Sequence, residues 1–178
     1  MPSHVRTFRH LLRRFRRNRS GSAVVEFALV APMFFGLLFA IIETALMFFA
    51  SQVLETVTQD SARLIFTGQA QNQKLTAAQF KSAVCSKIVV LFDCQGGISV
   101  DVQSYPQFSN INVAPPIDAN KNFTNPNNYN PGNAGDIVVV RLFYQWPILV
   151  TKFGYDITNL AGSKRLLTAT AAFQNEPY

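Results

Sequence analysis

The chain has 178 residues, of which 48% are hydrophobic and only 15% are charged. That charged fraction is low for a soluble domain and indicates a membrane segment. The formal net charge of +6 would suit a nucleic-acid binder, but seven of the 16 basic residues lie within residues 1–21, which hold no acid. The remaining chain carries nine basic and ten acidic residues. The charge therefore marks the N-terminus and does not indicate binding to nucleic acid.

An uncharged run follows this basic leader. Residues 27–42 contain no charged side chain, and a helix from Ser22 to Glu43 is about 30 Å long, close to the hydrocarbon thickness of a bilayer. Arginines directly before such a run are typical of the cytoplasmic end of a membrane helix. We therefore predict a single-pass membrane protein with residues 1–21 in the cytoplasm. Glu43 is expected to lie at the far interface, and an interfacial charge is favoured over the alternative of a buried functional carboxylate.

The predicted helix continues beyond the membrane with two different faces. Gln52, Glu55 and Arg63 share one side, and a period of 3.6 residues places apolar residues on the other. That second side, here called the apolar stripe, comprises Ala50, Val53, Leu54, Val57, Leu64 and Ile65. With Gly68 as the C-cap, the sequence predicts one helix of about 45 residues over 22–67.

The rest of the chain, 68–178, is predicted to form an exported α+β domain. A polar linker leads to a second, short helix over 77–91, which begins at a capping box formed by Thr76 and Gln79. Alternation with period two then predicts a small antiparallel sheet. Its strands cover 98–103, 136–146 and 166–173, and the second is central because both of its faces are apolar.

The first two predicted strands are separated by a loop over 106–135. This loop holds nine Asn and five Pro, residue types that favour turns. A loop of that length is longer than a compact domain usually needs. It is therefore either a functional surface or a crossover that wraps the sheet.

The junction at Gly21 carries a family resemblance. The sequence Gly21-Ser22-Ala23-Val24-Val25-Glu26-Phe27 is similar to the cleavage site of type IV pilin-like precursors, in which a prepilin peptidase cuts after the glycine. The stretch 21–32 resembles the TadE/TadG-like proteins of the tight-adherence (Tad) pilus, as does the tail over 173–178. The resemblance implies a type IV pilin-like fold and recognition of Gly21, Ser22, Glu26 and Phe27 by the peptidase.

This resemblance also implies a function in assembly. The chain would be a TadE-like minor pilin or pseudopilin of an adhesive Tad-type pilus. Its partners would be the prepilin peptidase, other pilus subunits, Tad assembly proteins and the lipid of the inner membrane, with its C-terminal domain periplasmic or extracellular. The apolar stripe is expected to contact other subunits. The alternative is an uncleaved single-pass protein that serves as a structural or binding part of the apparatus.

The two cysteines, Cys85 and Cys94, are predicted to have a structural role and not a catalytic or metal-binding one. An exported, oxidising location favours a disulfide over free thiols. A metal site is not expected, since both histidines, His4 and His10, lie in the leader. We find no constellation of catalytic residues or cofactor motif, so the sequence predicts neither an enzyme nor a cofactor.

Overall fold

The computed structural model describes residues 21–88, 92–150 and 156–177. The predicted leader therefore lies outside the described residues, except for Gly21. The chain divides into two compact units, Met1–Ile41 and Ile42–Tyr178. The first contains the apolar start of the long helix, and the second contains the remainder of that helix together with the sheet.

The long helix, α1, covers Ser22–Phe66 and is continuous through Pro32. Its end lies within one residue of the predicted position. Gly68 adopts a positive φ of 73°, which glycine reaches without a steric penalty. In this conformation its N–H donates to the carbonyl of Ile65 at 3.0 Å and closes the helix.

The predicted linker and second helix differ in detail from the structure. A short helix, α2 (Gln69–Asn72), occupies part of the linker. The next helix, α3 (Ala77–Ser86), begins at the predicted capping box and ends before the predicted position, while residues 89–91 of the predicted range lie outside the described residues. The last turn of this helix is tightened at Lys87, whose backbone N–H donates to the carbonyl of Val84, three residues earlier.

Within the described residues, three strands form one antiparallel sheet in the order β1-β2-β3. The short helix α4 (Cys94–Gly97) leads directly into β1, and β2 is central, as predicted. The strands are β1 Ile98–Tyr105, β2 Ile137–Pro147 and β3 Lys164–Gln174. The predicted α+β fold, with a long N-terminal helix and a small antiparallel sheet, is therefore confirmed.

Both faces of the central strand are covered, which explains why both are apolar in the sequence. On one face, Val138, Val140 and Leu142 join the main core together with α1 and α3. On the other face, Phe143 lies in a smaller cluster with Leu160 and Leu166, against which residues of the loop over 106–135 pack. The loop therefore wraps the outer face of the sheet, which was one of the two predicted possibilities.

The C-terminal tail fastens the loop and the end of α1. The Asn175 side chain is buried, and its amide donates to the carbonyls of Pro131 and Asn133. The backbone N–H of Glu176 donates to the carbonyl of Phe66 at 3.0 Å. The tail that resembles TadE-like endings thus has a structural role in this domain.

Candidate functional site

The residues of the predicted cleavage site lie at the start of α1. Ser22 is the first residue of the helix, and its hydroxyl donates to the Glu26 carboxylate at 2.7 Å, one turn further along. Both side chains are exposed, as is Phe27. Ser22 and Glu26 are thus neighbours on one face of the helix, as an i, i+4 pair should be.

Nothing in the described structure requires glycine at position 21. A Cβ built on Gly21 meets no heavy atom within 4 Å, and the residue has no positive φ. Gly97 differs, since a Cβ there would approach the Tyr144 ring at 2.6 Å. The fold explains a glycine at 97 but not at 21.

The first part of α1 presents a continuous apolar surface. None of its most apolar 18-residue window is buried, and the helix is long and apolar enough to cross a membrane. The exposed large side chains run from Val24 to Phe49. Because so much apolar surface is unfavourable in water, this segment requires lipid or protein around it.

Glu43 is buried, whereas the sequence predicted an interfacial charge. Its side chain is only 8% exposed, and its carboxylate accepts hydrogen bonds from the backbone N–H groups of Leu149 and Val150. These donors follow β2 and lie 106 and 107 residues away in the sequence. Glu43 therefore ties α1 to the connection between β2 and β3.

The apolar stripe is used inside the protein. Four of its residues are buried in the main core, and the other two are partly buried against it. The buried members are Ala50, Leu54, Val57 and Ile65, and the partly buried ones are Val53 and Leu64. The apolar stripe is a buried face of α1, and it packs in the core of its own chain. This packing corrects the expectation that the stripe contacts other pilus subunits.

A disulfide joins Cys85, in α3, to Cys94, the first residue of α4. The disulfide favoured by the sequence is therefore present. It encloses a short loop, since only nine positions separate the two cysteines. Such a bond restricts the unfolded chain and holds the end of α3 beside the start of the sheet.

Replacing both cysteines by alanine is expected to lower the free energy of unfolding by about 2–3 kcal/mol, the loop-closure value for so short a loop. Denaturant unfolding followed by fluorescence of Trp146, the only tryptophan in the sequence, measures the change. A reductant should destabilise the wild type and leave the Cys85→Ala/Cys94→Ala variant unaffected. Equal sensitivity of the two proteins would contradict the structural role of the bond.

A buried ion pair links the sheet to the loop that covers it. Asp101 of β1 lies directly opposite Arg141 of β2, and the Arg141 Nη2 to Asp101 Oδ2 distance is 2.7 Å. Both residues are buried. The other Asp101 oxygen accepts from Asn128, and Arg141 also donates to the carbonyl of Ala114. The pair therefore fixes two points of the loop over 106–135.

The same contacts set the pKa of Asp101. Burial raises the pKa, but hydrogen bonds from Arg141, Asn128 and Gln103 together outweigh it and leave the pKa below its ordinary value. The carboxylate is therefore held ionised. Period-two alternation predicted the strand that carries Asp101, but neither the burial of this residue nor its partner.

The described part of the chain holds no group of three or more His, Cys, Asp or Glu side chains suited to a metal ion. Its buried carboxylates, Asp101 and Glu43, are occupied by structural hydrogen bonds. Asp118 and Asp156 are exposed, and the pKa of each is lowered mainly by backbone N–H groups within its own loop, from Asn122 and Thr158 respectively. These acids serve local structure.

Comparison with known proteins identifies the N-terminal segment. Residues 21–63 match the family model described as TadE-like protein. The match begins at the glycine of the predicted cleavage site and ends three residues before the end of α1. It covers less than half of the chain, and the sheet lies outside it. No curated protein and no solved structure matches the chain. Residues 21–63 are therefore a TadE-like segment, joined here to an α+β domain.

Proposed function

We propose that this protein is a TadE-like minor pilin or pseudopilin that acts in the assembly of a Tad-type pilus. The TadE-like match over 21–63 supports a component related to that pilus. The observation that carries the finer proposal is the unexplained glycine at 21. Among the described residues the fold leaves room for a larger side chain there, and a peptidase that needs close access to the backbone would account for a glycine at this position.

Processing between Gly21 and Ser22 gives Glu26 a role. The cut creates an ammonium group on Ser22, whose hydroxyl already lies 2.7 Å from the Glu26 carboxylate. A carboxylate near the membrane is costly when unpaired. Pairing with an amine, on the same subunit or a neighbour, offsets this cost. Glu26 would thereby favour the packing of processed subunits.

The proposed location is the inner membrane, with the leader in the cytoplasm and the α+β domain exported. The arginines before α1 support this orientation by the positive-inside rule. The disulfide between Cys85 and Cys94 supports an oxidising compartment for the domain. A role in pilus assembly needs no catalytic group, and we propose no enzymatic activity.

The surface available for assembly is the exposed apolar part of α1 rather than the apolar stripe. Between Val24 and Phe49 most of the large side chains are exposed, whereas Met47 is buried in the main core. Lipid covers them before assembly, and α1 helices of neighbouring subunits replace that lipid in a filament. Domains 68–178 would then lie on the outside of the assembly.

The cut itself is tested at position 21. We expect mature protein from cells that contain the prepilin peptidase to begin at Ser22, as read by N-terminal sequencing. Gly21→Leu should abolish this product while the chain still enters the membrane, because the structure leaves space for the side chain. Gly21→Ala is the matched control and should retain measurable cleavage.

A mature protein that begins at Met1 or Pro2 would contradict the processing proposal. If that uncleaved protein remained in the membrane and pili still depended on it, the alternative would hold. The chain would then be a single-pass structural or binding component of the pilus or secretion apparatus.

A further inference from the structure

The connection that follows β2 exposes a large apolar side chain at a fixed position. Ile148 is buried in the main core, while the next residue, Leu149, is 84% exposed. We call residues 148–150 the Leu149 turn. An exposed leucine at a mobile loop tip would be unremarkable, but this turn is held in place on both sides.

Two hydrogen-bond systems hold the Leu149 turn. The N–H of Ile148 donates to the carbonyl of Ser163 at 2.9 Å, which ties the turn to the chain entering β3. The N–H groups of Leu149 and Val150 donate to the buried carboxylate of Glu43. The three backbone donors of the turn are therefore satisfied within the protein, which removes the cost of placing unpaired N–H groups where water is scarce.

The position of Glu43 sets the level of the turn. The sequence places Glu43 about 30 Å along the helix from Ser22, at the far boundary of the bilayer. Large apolar side chains remain exposed on α1 just beyond it, at Leu46, Phe48 and Phe49. The hydrogen bonds to Glu43 attach the Leu149 turn to α1 one or two turns before these exposed side chains.

The same end of the sheet also presents a cation. Lys164, the first residue of β3, is opposite Pro147 in the register and is exposed. The other end of the sheet, at Tyr105 and Gln174, is reached only after the full length of the strands. A leucine with a nearby lysine suits the boundary between acyl chains and phosphate headgroups.

We propose that the Leu149 turn is a second membrane contact of this protein. It inserts Leu149 into the outer leaflet of the same bilayer that α1 crosses, with phospholipid as its occupant, and Glu43 positions it. The inference rests on the proposed membrane anchoring and goes beyond it. The contact holds one end of the sheet against the membrane while the subunit awaits assembly.

A single introduced thiol can report this contact. The only two cysteines of the chain are joined to each other, so one new cysteine can be labelled selectively with an environment-sensitive fluorophore. The full-length protein is reconstituted in nanodiscs of phosphatidylethanolamine and phosphatidylglycerol, which leave both faces accessible. Three single variants are compared: Leu149→Cys in the turn, Phe34→Cys within the apolar helix, and Ser109→Cys in the loop beyond the other end of the sheet.

Quenching by nitroxide-labelled lipid and by aqueous iodide then locates each label. We expect the label at 149 to lie about 5–10 Å below the headgroup level, quenched by nitroxides near the top of the acyl chain and protected from iodide. The label at 34 should be quenched by deeper nitroxides. The label at 109 should respond to iodide alone.

The outcomes distinguish the membrane contact of the Leu149 turn from the membrane anchoring by α1. A label at 149 that iodide quenches as strongly as at 109, with 34 still in lipid, overturns the membrane contact and leaves the anchoring intact. A label at 34 that responds to iodide overturns both. Protection at 149 from both quenchers also overturns the proposal, because a protein surface would then cover the turn.

The positioning role of Glu43 is tested on the Leu149→Cys background. Adding Glu43→Ala should release the turn and shift the label at 149 toward iodide accessibility. Glu55→Ala is the matched control, since Glu55 lies on the same helix and its carboxylate accepts a hydrogen bond from the exposed side chain of Gln59. Unchanged lipid quenching in the Glu43→Ala protein would overturn the assignment of Glu43 as the positioning residue.

Discussion

Replacing Asp101 by alanine is expected to lower the free energy of unfolding of the domain by about 3–5 kcal/mol, because it leaves the buried Arg141 charge without its partner. Arg141 is only 5% exposed and bonds to Asp101 through both Nε and Nη2. The change also removes the acceptor of the Asn128 side-chain amide and backbone N–H, one of the attachments of the loop over 106–135. We expect this to be the largest effect of any single polar substitution in the domain.

Unfolding of the full chain in detergent micelles, followed by Trp146 fluorescence, measures this loss. Asp60→Ala, at an exposed position of α1, is the matched control and should change stability far less. The double variant Asp101→Leu/Arg141→Met should recover part of the loss, since no unpaired charge remains. A single variant as stable as the wild type would show that the ion pair does not hold the loop.

The same site predicts a dependence on pH. Because hydrogen bonds lower the pKa of Asp101 in the folded protein, its stabilising effect is complete above the unfolded pKa of about 3.9 and is lost as the pH falls through the folded value. The difference in stability between the wild type and Asp101→Asn should therefore be constant near neutral pH and shrink below about pH 4. A difference that grows with acidification would contradict this sign.

The sequence predicted the elements better than the contacts between them. The bounds of α1 could be read from its apolar run, its two-faced extension and Gly68, because each of these signals is local. Periodicity identified the apolar face of the helix, but it does not specify the partner of that face. The stripe packs in the core with the sheet, a possibility that the sequence pattern alone did not distinguish from packing in a filament.

The missed polar contacts are all long-range. Asp101 and Arg141 are 40 residues apart, and the cover over Asp101 comes from Asn128, in a part of the loop outside the helices and strands. Glu43 meets its donors more than 100 residues later. Its partners are backbone N–H groups, which every residue except proline carries. Neither contact leaves a pattern that a reading of composition and spacing could detect.

Glu26→Ala is expected to leave the chain in the membrane and to reduce assembled pili at least about tenfold. The free energy gained when the Glu26 carboxylate is paired near the bilayer exceeds about 1.4 kcal/mol, which corresponds to a factor of about ten in the assembly equilibrium. In the processed subunit an ion pair between the carboxylate and the amine created at Ser22, of its own chain or a neighbour, is favourable. Alanine removes this ion pair and makes insertion into the membrane easier. A fall in assembly therefore cannot result from poorer insertion.

Pili sheared from cells and quantified by immunoblot, together with the membrane fraction, give both readouts. N-terminal sequencing of the variant must still find Ser22, which separates an assembly defect from a processing defect. Glu26→Gln, which keeps the shape but not the charge, should behave like alanine, and Glu55→Ala should assemble normally. Normal pili in correctly processed Glu26→Ala would remove the role proposed for this residue, and the hydroxyl of Ser22 would then be its only identified partner among the described residues.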